Sequence, residues 1–64
     1  MITVEQLADM VEDEIMDAVK YLKCAIACKD SRPDMAAMFF DLSQQEMVHM
    51  NRLHDKMSAM YQGE

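Results

Sequence analysis

The chain has 64 residues, of which 52% are hydrophobic, and a formal net charge of −6. This length allows one domain, and chains of fewer than ~70 to 80 residues usually need a disulfide framework, a metal or a partner subunit to fold stably. The net negative charge argues against nucleic acid and anionic lipid as binding partners. No signal-peptide pattern is present and no apolar run approaches the ~18 residues of a membrane span, so we expect a cytoplasmic protein without membrane segments.

The two cysteines do not supply the missing stabilisation. Cys24 and Cys28 lie four positions apart on one predicted helix, a spacing that fits disulfide geometry poorly. We expect both cysteine thiols to be reduced and both side chains to act as small buried residues. The high hydrophobic share instead indicates a subunit interface, because so small a chain leaves many of its positions in water. We therefore predict a homo-oligomer, at least a dimer.

A helix-start signal occurs near the N-terminus. Thr3 can act as the N-cap, Gln6 three residues later completes a capping box, and Ile2 can pack on Leu7. No proline or glycine follows until position 33. These features predict a first helix over about residues 3–29.

The single internal break comes next. Pro33 fits the first turn of a helix, and Ser31 before it, with Asp34 three residues later, predicts a helix capped by Ser31. The second helix should run over about 33–62, after a turn at about 30–32, with Gly63 as its C-terminal stop. The predicted fold is all-α: residues 1–64 form one antiparallel hairpin, which dimerises into a four-helix bundle.

Steps of four and three residues give one inward stripe on each helix. The first stripe holds Leu7, Val11, Glu14, Ala18, Tyr21, Ala25 and Cys28. The second holds Met35, Phe39, Leu42, Glu46, His49, Leu53, Lys56 and Met60. The predicted solvated faces hold Glu5, Asp9, Glu12, Lys20 and Lys23 on the first helix and Asp34, Asp41, Gln44, Asn51, Asp55 and Ser58 on the second.

Three polar residues on these stripes need compensation, because burying a carboxylate in apolar surroundings is costly without a cation or hydrogen-bond partner. They are Glu14, Glu46 and His49. Counted from the turn at a rise of ~1.5 Å per residue, all three lie within about one helical turn of the same level. Two chains would supply four carboxylates and two imidazoles, the ligand set of di-iron and di-manganese helical bundles. We predict that the three residues are metal ligands.

The pattern resembles the ferritin-like superfamily, most closely its rubrerythrin-like branch in a short two-helix form. The resemblance rests on Glu14, Tyr21, Ala25, Ala27, a short turn, Phe39 and the run Glu46-Met47-Val48-His49. It implies Glu14, Glu46 and His49 as metal ligands and Tyr21 as a hydrogen-bonding partner beside them. The usual family chain has four helices, so this chain resembles half a bundle that dimerises to complete its site. It has no Cys-x-x-Cys pair of the rubredoxin kind.

Carboxylates and imidazoles that hold two redox-capable metals suit the oxidation of Fe(II) by oxygen or peroxide. The first hypothesis is therefore a ferroxidase or peroxide-reducing oxidoreductase with two metal ions per dimer, iron first and manganese or zinc as alternatives. The second is a non-catalytic assembly or docking module with a methionine-rich surface. In that case the three residues form a buried polar network or hold a structural metal. Tyr21 could equally be an interface aromatic, and His54 is expected at the surface.

Overall fold

The computed structural model describes residues 1–62 and shows a hairpin of two helices. Helix α1 spans Val4–Cys28 and helix α2 spans Pro33–Tyr61. The two helices pack against each other, and the molecule measures 50 × 15 × 14 Å along its principal axes. Both helices lie where the sequence predicts them, whereas Gly63 lies outside the described residues. Within residues 1–62, neither helix is long and apolar enough to cross a membrane.

The start of α1 is a complete capping box, as predicted. The Gln6 backbone N–H donates to Thr3 Oγ1 at 3.1 Å, and the Thr3 backbone N–H donates to Gln6 Oε1 at 2.8 Å. Two backbone N–H groups that the helix leaves without partners are therefore satisfied by side chains.

The start of α2 differs from the prediction. Arg32, not Ser31, is the N-cap residue, and it makes no side-chain cap hydrogen bond. Pro33 explains the difference, because it occupies the first turn and disfavours helical backbone in the residue before it, which has φ −138° and ψ 72°. Arg32 instead pairs with Asp34 at 3.3 Å and thereby lowers the pKa of that carboxyl group.

The two helix starts give a matched test of capping. Thr3→Ala should lower the free energy of unfolding by about 1 kcal/mol, because it removes the hydroxyl that accepts from the Gln6 backbone N–H. Ser31→Ala should change it by less than ~0.5 kcal/mol, because Ser31 lies outside the helix and makes no cap bond. Urea unfolding followed by circular dichroism, at one fixed protein concentration, measures both. Equal losses would show that Ser31 does cap α2.

Most of the fully buried residues between the helices are small. Leu7, Ala18, Ala25 and Ser43 are the buried side chains among the described residues. Ser43 satisfies its hydroxyl by donating to the Phe40 carbonyl at 2.6 Å. Short side chains let two helices approach closely, but they bury little apolar surface. One hairpin therefore has a small core.

The predicted α1 stripe is confirmed, since each of its residues is buried or half-buried. The predicted stripe on α2 needs three corrections: Ser43 is buried although the stripe omits it, while His49 and Lys56 on the stripe are exposed. Ser58, assigned to the solvated face, is half-buried. A strict heptad walk drifts by about 20° per heptad from a real helix, so it assigns some residues at the margin of the contact face to the wrong side.

Candidate metal centre

Glu14 of α1 and Glu46 and His49 of α2 come together between the two helices. One possible ligand atom from each residue lies within 4.8 Å of the other two. Glu14 and Glu46 are half-buried, whereas His49 is exposed. The sequence prediction that these residues share one level of the hairpin is confirmed; their role as metal ligands stays a prediction.

Small buried neighbours bring the two carboxylates close together. Ala18 lies one turn after Glu14 on α1, and Ser43 lies one turn before Glu46 on α2. Residues three and four apart share a helix face, so each glutamate is adjacent to a buried position of its own helix. Larger side chains at Ala18 or Ser43 would push the helices apart and separate the carboxylates.

The Glu14 carboxylate lacks full compensation. Its Oε2 atom is buried and makes no hydrogen bond of acceptable geometry within residues 1–62, although His49 Nδ1 is 3.5 Å away. A buried acceptor without a partner costs about 1–3 kcal/mol, and more if it is charged. An oxygen atom of this kind, between a second carboxylate and an imidazole, is suited to a cation.

The Glu14 carboxyl group disfavours the negative charge of Glu46. The pKa of Glu46 is raised, first by a hydrogen bond with the Glu14 carboxyl group, then by burial and by the negative charge of Glu14, while His49 acts in the opposite direction. Glu46 therefore keeps its proton to a higher pH than an isolated glutamate does. A bound cation would favour the ionised form of this carboxyl group.

These residues fit a metal ion by the chemistry of their atoms. Carboxylate oxygens and a neutral imidazole nitrogen are ligands for iron, manganese and zinc. One chain offers three such side chains in this group, with the histidine on the open side. Further ligands would have to come from water or from another molecule.

The raised pKa of Glu46 gives a pH prediction for the metal-free protein. A carboxyl group whose pKa is higher in the folded state than its ordinary value of 4.5 favours folding below that value and loses this contribution as pH rises through the raised pKa. The wild-type protein should therefore lose stability relative to Glu46→Gln as pH rises from about 4.5.

The measurement is urea unfolding of both proteins in chelator across that pH range. Glu5→Gln, which changes an exposed glutamate in the first turn of α1, is the control variant. A stability difference between the wild type and Glu46→Gln that stays constant with pH would contradict the prediction.

His49 lies at the edge of a groove on one side of the hairpin. Leu7, Arg52, Leu53 and Lys56 line this groove with it. The His49 side chain is 53% exposed and the Glu14 side chain only 24% exposed. The site is therefore shielded by the helices at Glu14 and open to solvent at His49. Sequence reasoning missed Arg52 as a neighbour of the site, although its position one turn after His49 was a signal.

The remaining predicted residues lie around the site. Tyr21 stacks on Phe39 with ring centroids 6.3 Å apart, and within residues 1–62 no hydrogen bond joins its hydroxyl to the three clustered residues. Cys24 and Cys28 are free and half-buried, and the Cys28 thiol donates to the Cys24 carbonyl at 3.0 Å. His54 is exposed, as expected. Among the described residues, none of these joins a second group of possible metal ligands.

The chain was compared with protein-family models, curated proteins and solved structures, and none of the three comparisons gives a match.

Proposed function

We propose that two copies of this hairpin form a four-helix bundle that binds two metal ions, iron in the first place, and that the bundle oxidises Fe(II) with oxygen or peroxide. One observation carries the proposal: Glu14, Glu46 and His49 converge within 4.8 Å, and a buried oxygen of Glu14 lacks a hydrogen-bond partner. The family resemblance of the sequence points in the same direction.

The incomplete ligand set supports a second copy. A carboxylate-bridged site with two metals uses four carboxylates and two histidines in helical bundles. One chain has two carboxylates and one histidine in the group, so two chains related by a two-fold axis supply the full number. The exposed side of His49 is where the second chain would dock. We call this side of the hairpin the ligand face.

Charges near the site differ in sign between the two helices. In sequence, Asp13 and Asp17 flank Glu14 on α1, while Arg52 and Lys56 of α2 line the groove with His49. A two-fold axis parallel to the helices would place α1 of one chain next to α2 of the other. Counted from the turn, Asp13 and Arg52 are about 6 Å apart in level at ~1.5 Å per residue. Such rim pairs contribute little to affinity but favour one orientation.

The ligand types restrict the metal. Carboxylates are hard ligands and imidazole is borderline, a set that suits iron and manganese and also accepts zinc. Iron and manganese would supply redox chemistry, whereas zinc would be structural. The residues of the chain would act as ligands: Glu14 and Glu46 offer carboxylate oxygens, and His49 offers an imidazole nitrogen.

The overall reaction balances without further groups from the protein. Two Fe(II) ions lose one electron each, and hydrogen peroxide takes up both electrons and two protons to form two water molecules. With oxygen, four Fe(II) ions and four protons give two water molecules. The chain would thus need only to bind Fe(II) and to admit the oxidant on the open side of the site.

Anaerobic titration with Fe(II) followed by admission of air or peroxide tests this function. We expect about one iron per chain to bind, followed by oxidation well above the buffer rate. His49→Ala should lower both, while His54→Ala, which removes an exposed histidine outside the group, should leave both unchanged. Equal behaviour of the two variants would contradict the proposal. Stable zinc binding without oxidation would instead support the non-catalytic assembly module.

A further inference from the structure

His49 has one ring nitrogen without a hydrogen-bond partner in the single chain. Its Nδ1 atom lies 3.5 Å from Glu14 Oε2, on the side of the candidate site. The other nitrogen, Nε2, has no hydrogen-bond partner within residues 1–62. A histidine that binds a metal through one nitrogen usually donates the N–H of the other to a carboxylate, a backbone carbonyl or a water molecule, which fixes the orientation of the ring. An acceptor for Nε2 therefore has to come from water or from another chain.

Asp17 is a carboxylate that also lacks a partner in the single chain. It lies three residues after Glu14 on α1 and is half-buried, whereas the nearby acids Glu12 and Asp13 are exposed. Within residues 1–62 Asp17 makes no hydrogen bond and no ion pair. Removing a carboxylate from water in part, without a partner, is unfavourable. This carboxylate therefore needs a hydrogen-bond donor or a cation from outside the chain.

Helix geometry places Asp17 on the ligand face. At about 100° per residue, Asp17 points about 100° away from buried Ala18, on the same side as Glu14. His49 points about 120° away from buried Ser43, toward the open side of the site. The half-buried carboxylate and the exposed imidazole thus lie on the same side of the hairpin, the side on which the second chain would dock.

The proposed dimer brings Asp17 of one chain close to the partner subunit's His49. With the two-fold axis parallel to the helices, α1 of one chain packs beside α2 of the other and runs antiparallel to it. Counted from the turn at ~1.5 Å per residue, Asp17 and His49 differ in level by about 8 Å. Side chains on a helix tilt toward its N-terminus, so Asp17 tilts away from the turn and His49 tilts toward it. The carboxylate and the imidazole therefore tilt toward each other.

We propose that Asp17 of each chain accepts a hydrogen bond from the Nε2–H group of the partner subunit's His49 and thereby positions that imidazole for metal binding. The inference rests on the proposed function, because it needs a site shared by two chains. Asp17 is a positioning residue and supplies no metal ligand. A charged acceptor holds the ring in one orientation and makes its other nitrogen a stronger ligand.

Zinc binding tests the role of Asp17 without any dependence on catalytic turnover. Asp17→Ala should lower the affinity for zinc by about 10–100-fold, the usual effect of losing a hydrogen-bond partner of a metal ligand. The zinc bound at saturation should remain about one ion per chain, because no ligand is lost. Asp9→Ala is the control variant, since it removes the same charge from an exposed position on α1. It should bind zinc as the wild type does.

Nitrogen-15 NMR of the zinc-loaded proteins reports the hydrogen bond itself. The Nε2–H group of His49 should give a signal in the wild type and in Asp9→Ala, because a hydrogen-bonded N–H exchanges slowly with water. Asp17→Ala should lose this signal. An Asp17 that only stabilised the fold would leave the signal unchanged wherever zinc is bound, and that result would overturn the proposal.

Mixed dimers test whether the hydrogen bond joins two chains. Labelled Asp17→Ala chains, refolded with an excess of unlabelled His49→Ala chains, should regain the Nε2–H signal, because the unlabelled chain supplies an intact Asp17. A signal that stays absent in zinc-loaded mixed dimers would overturn the contact between chains.

Failure of this inference can be told apart from failure of the proposed function. Equal zinc affinities of Asp17→Ala and Asp9→Ala, with binding lost in His49→Ala, would overturn the role of Asp17 and leave the metal site intact. A wild-type protein that binds neither zinc nor iron would refute the proposed function and this inference with it.

Discussion

Glu46→Ala is expected to reduce the affinity for Fe(II) by more than about 100-fold, because losing even a hydrogen-bond partner of a metal ligand commonly costs ~10–100-fold. Glu46 is the carboxylate closest in sequence to His49 and the one whose pKa the Glu14 carboxyl group raises. Its loss removes two of the four carboxylates from a dimer. Rapid oxidation of Fe(II) should fall to the buffer rate.

The matched control for this variant is Gln45→Ala. Gln45 is the preceding residue on α2, but it is exposed and bonds to Asp41 at 2.9 Å on the outer side of the helix. It should bind and oxidise Fe(II) as the wild type does. Circular dichroism shows whether both variants remain helical. A folded Glu46→Ala protein that still oxidises Fe(II) at the wild-type rate would exclude the three-residue site as the reactive centre.

Glu14→Ala should separate metal binding from folding. In the metal-free protein its stability should equal or exceed that of the wild type, because the substitution removes a buried oxygen that lacks a hydrogen-bond partner. With metal the order should reverse. A ligand at 100 times its dissociation constant stabilises the state that binds it by about 2.7 kcal/mol, and Glu14→Ala should lose most of this gain.

Thermal unfolding of the wild type and Glu14→Ala, each with chelator and with excess metal at equal chain concentration, gives the four unfolding temperatures to compare. Glu12→Ala is the control variant, because Glu12 lies two positions earlier on α1 and is exposed. Metal should stabilise it as much as it stabilises the wild type. A metal-free Glu14→Ala protein that is strongly destabilised would show that Glu14 stabilises the hairpin by contacts of its own. Its position would then need no cation.

Local rules were enough for much of the fold. The capping box of Thr3 and Gln6 depends on four consecutive residues, and the turn depends on one proline. The location of the candidate site could also be predicted, because counting along two antiparallel helices from a short turn shows which residues share a level. Glu14 is therefore expected at the level of Glu46 and His49. The prediction that they bind metal goes further than this and depends on a second chain.

Features that depend on the relative rotation of the helices were harder to predict. A walk in steps of four and three finds one stripe on each helix, so it omitted buried Ser43 and did not place Leu22 and Phe40 along one groove. It also placed His49 inside, whereas in one chain this residue is exposed. The placement of Arg32 at the start of α2 followed from the effect of Pro33 on the residue before it, which a capping pattern alone does not include.

The most direct test of the shared metal site is a crystal structure of the metal-loaded protein, with anomalous diffraction recorded at the iron absorption edge. Two iron ions should lie between two chains, with Glu14, Glu46 and His49 of both chains as their ligands. Iron bound within a single hairpin, or bound elsewhere while the three side chains bond only to one another, would contradict the account.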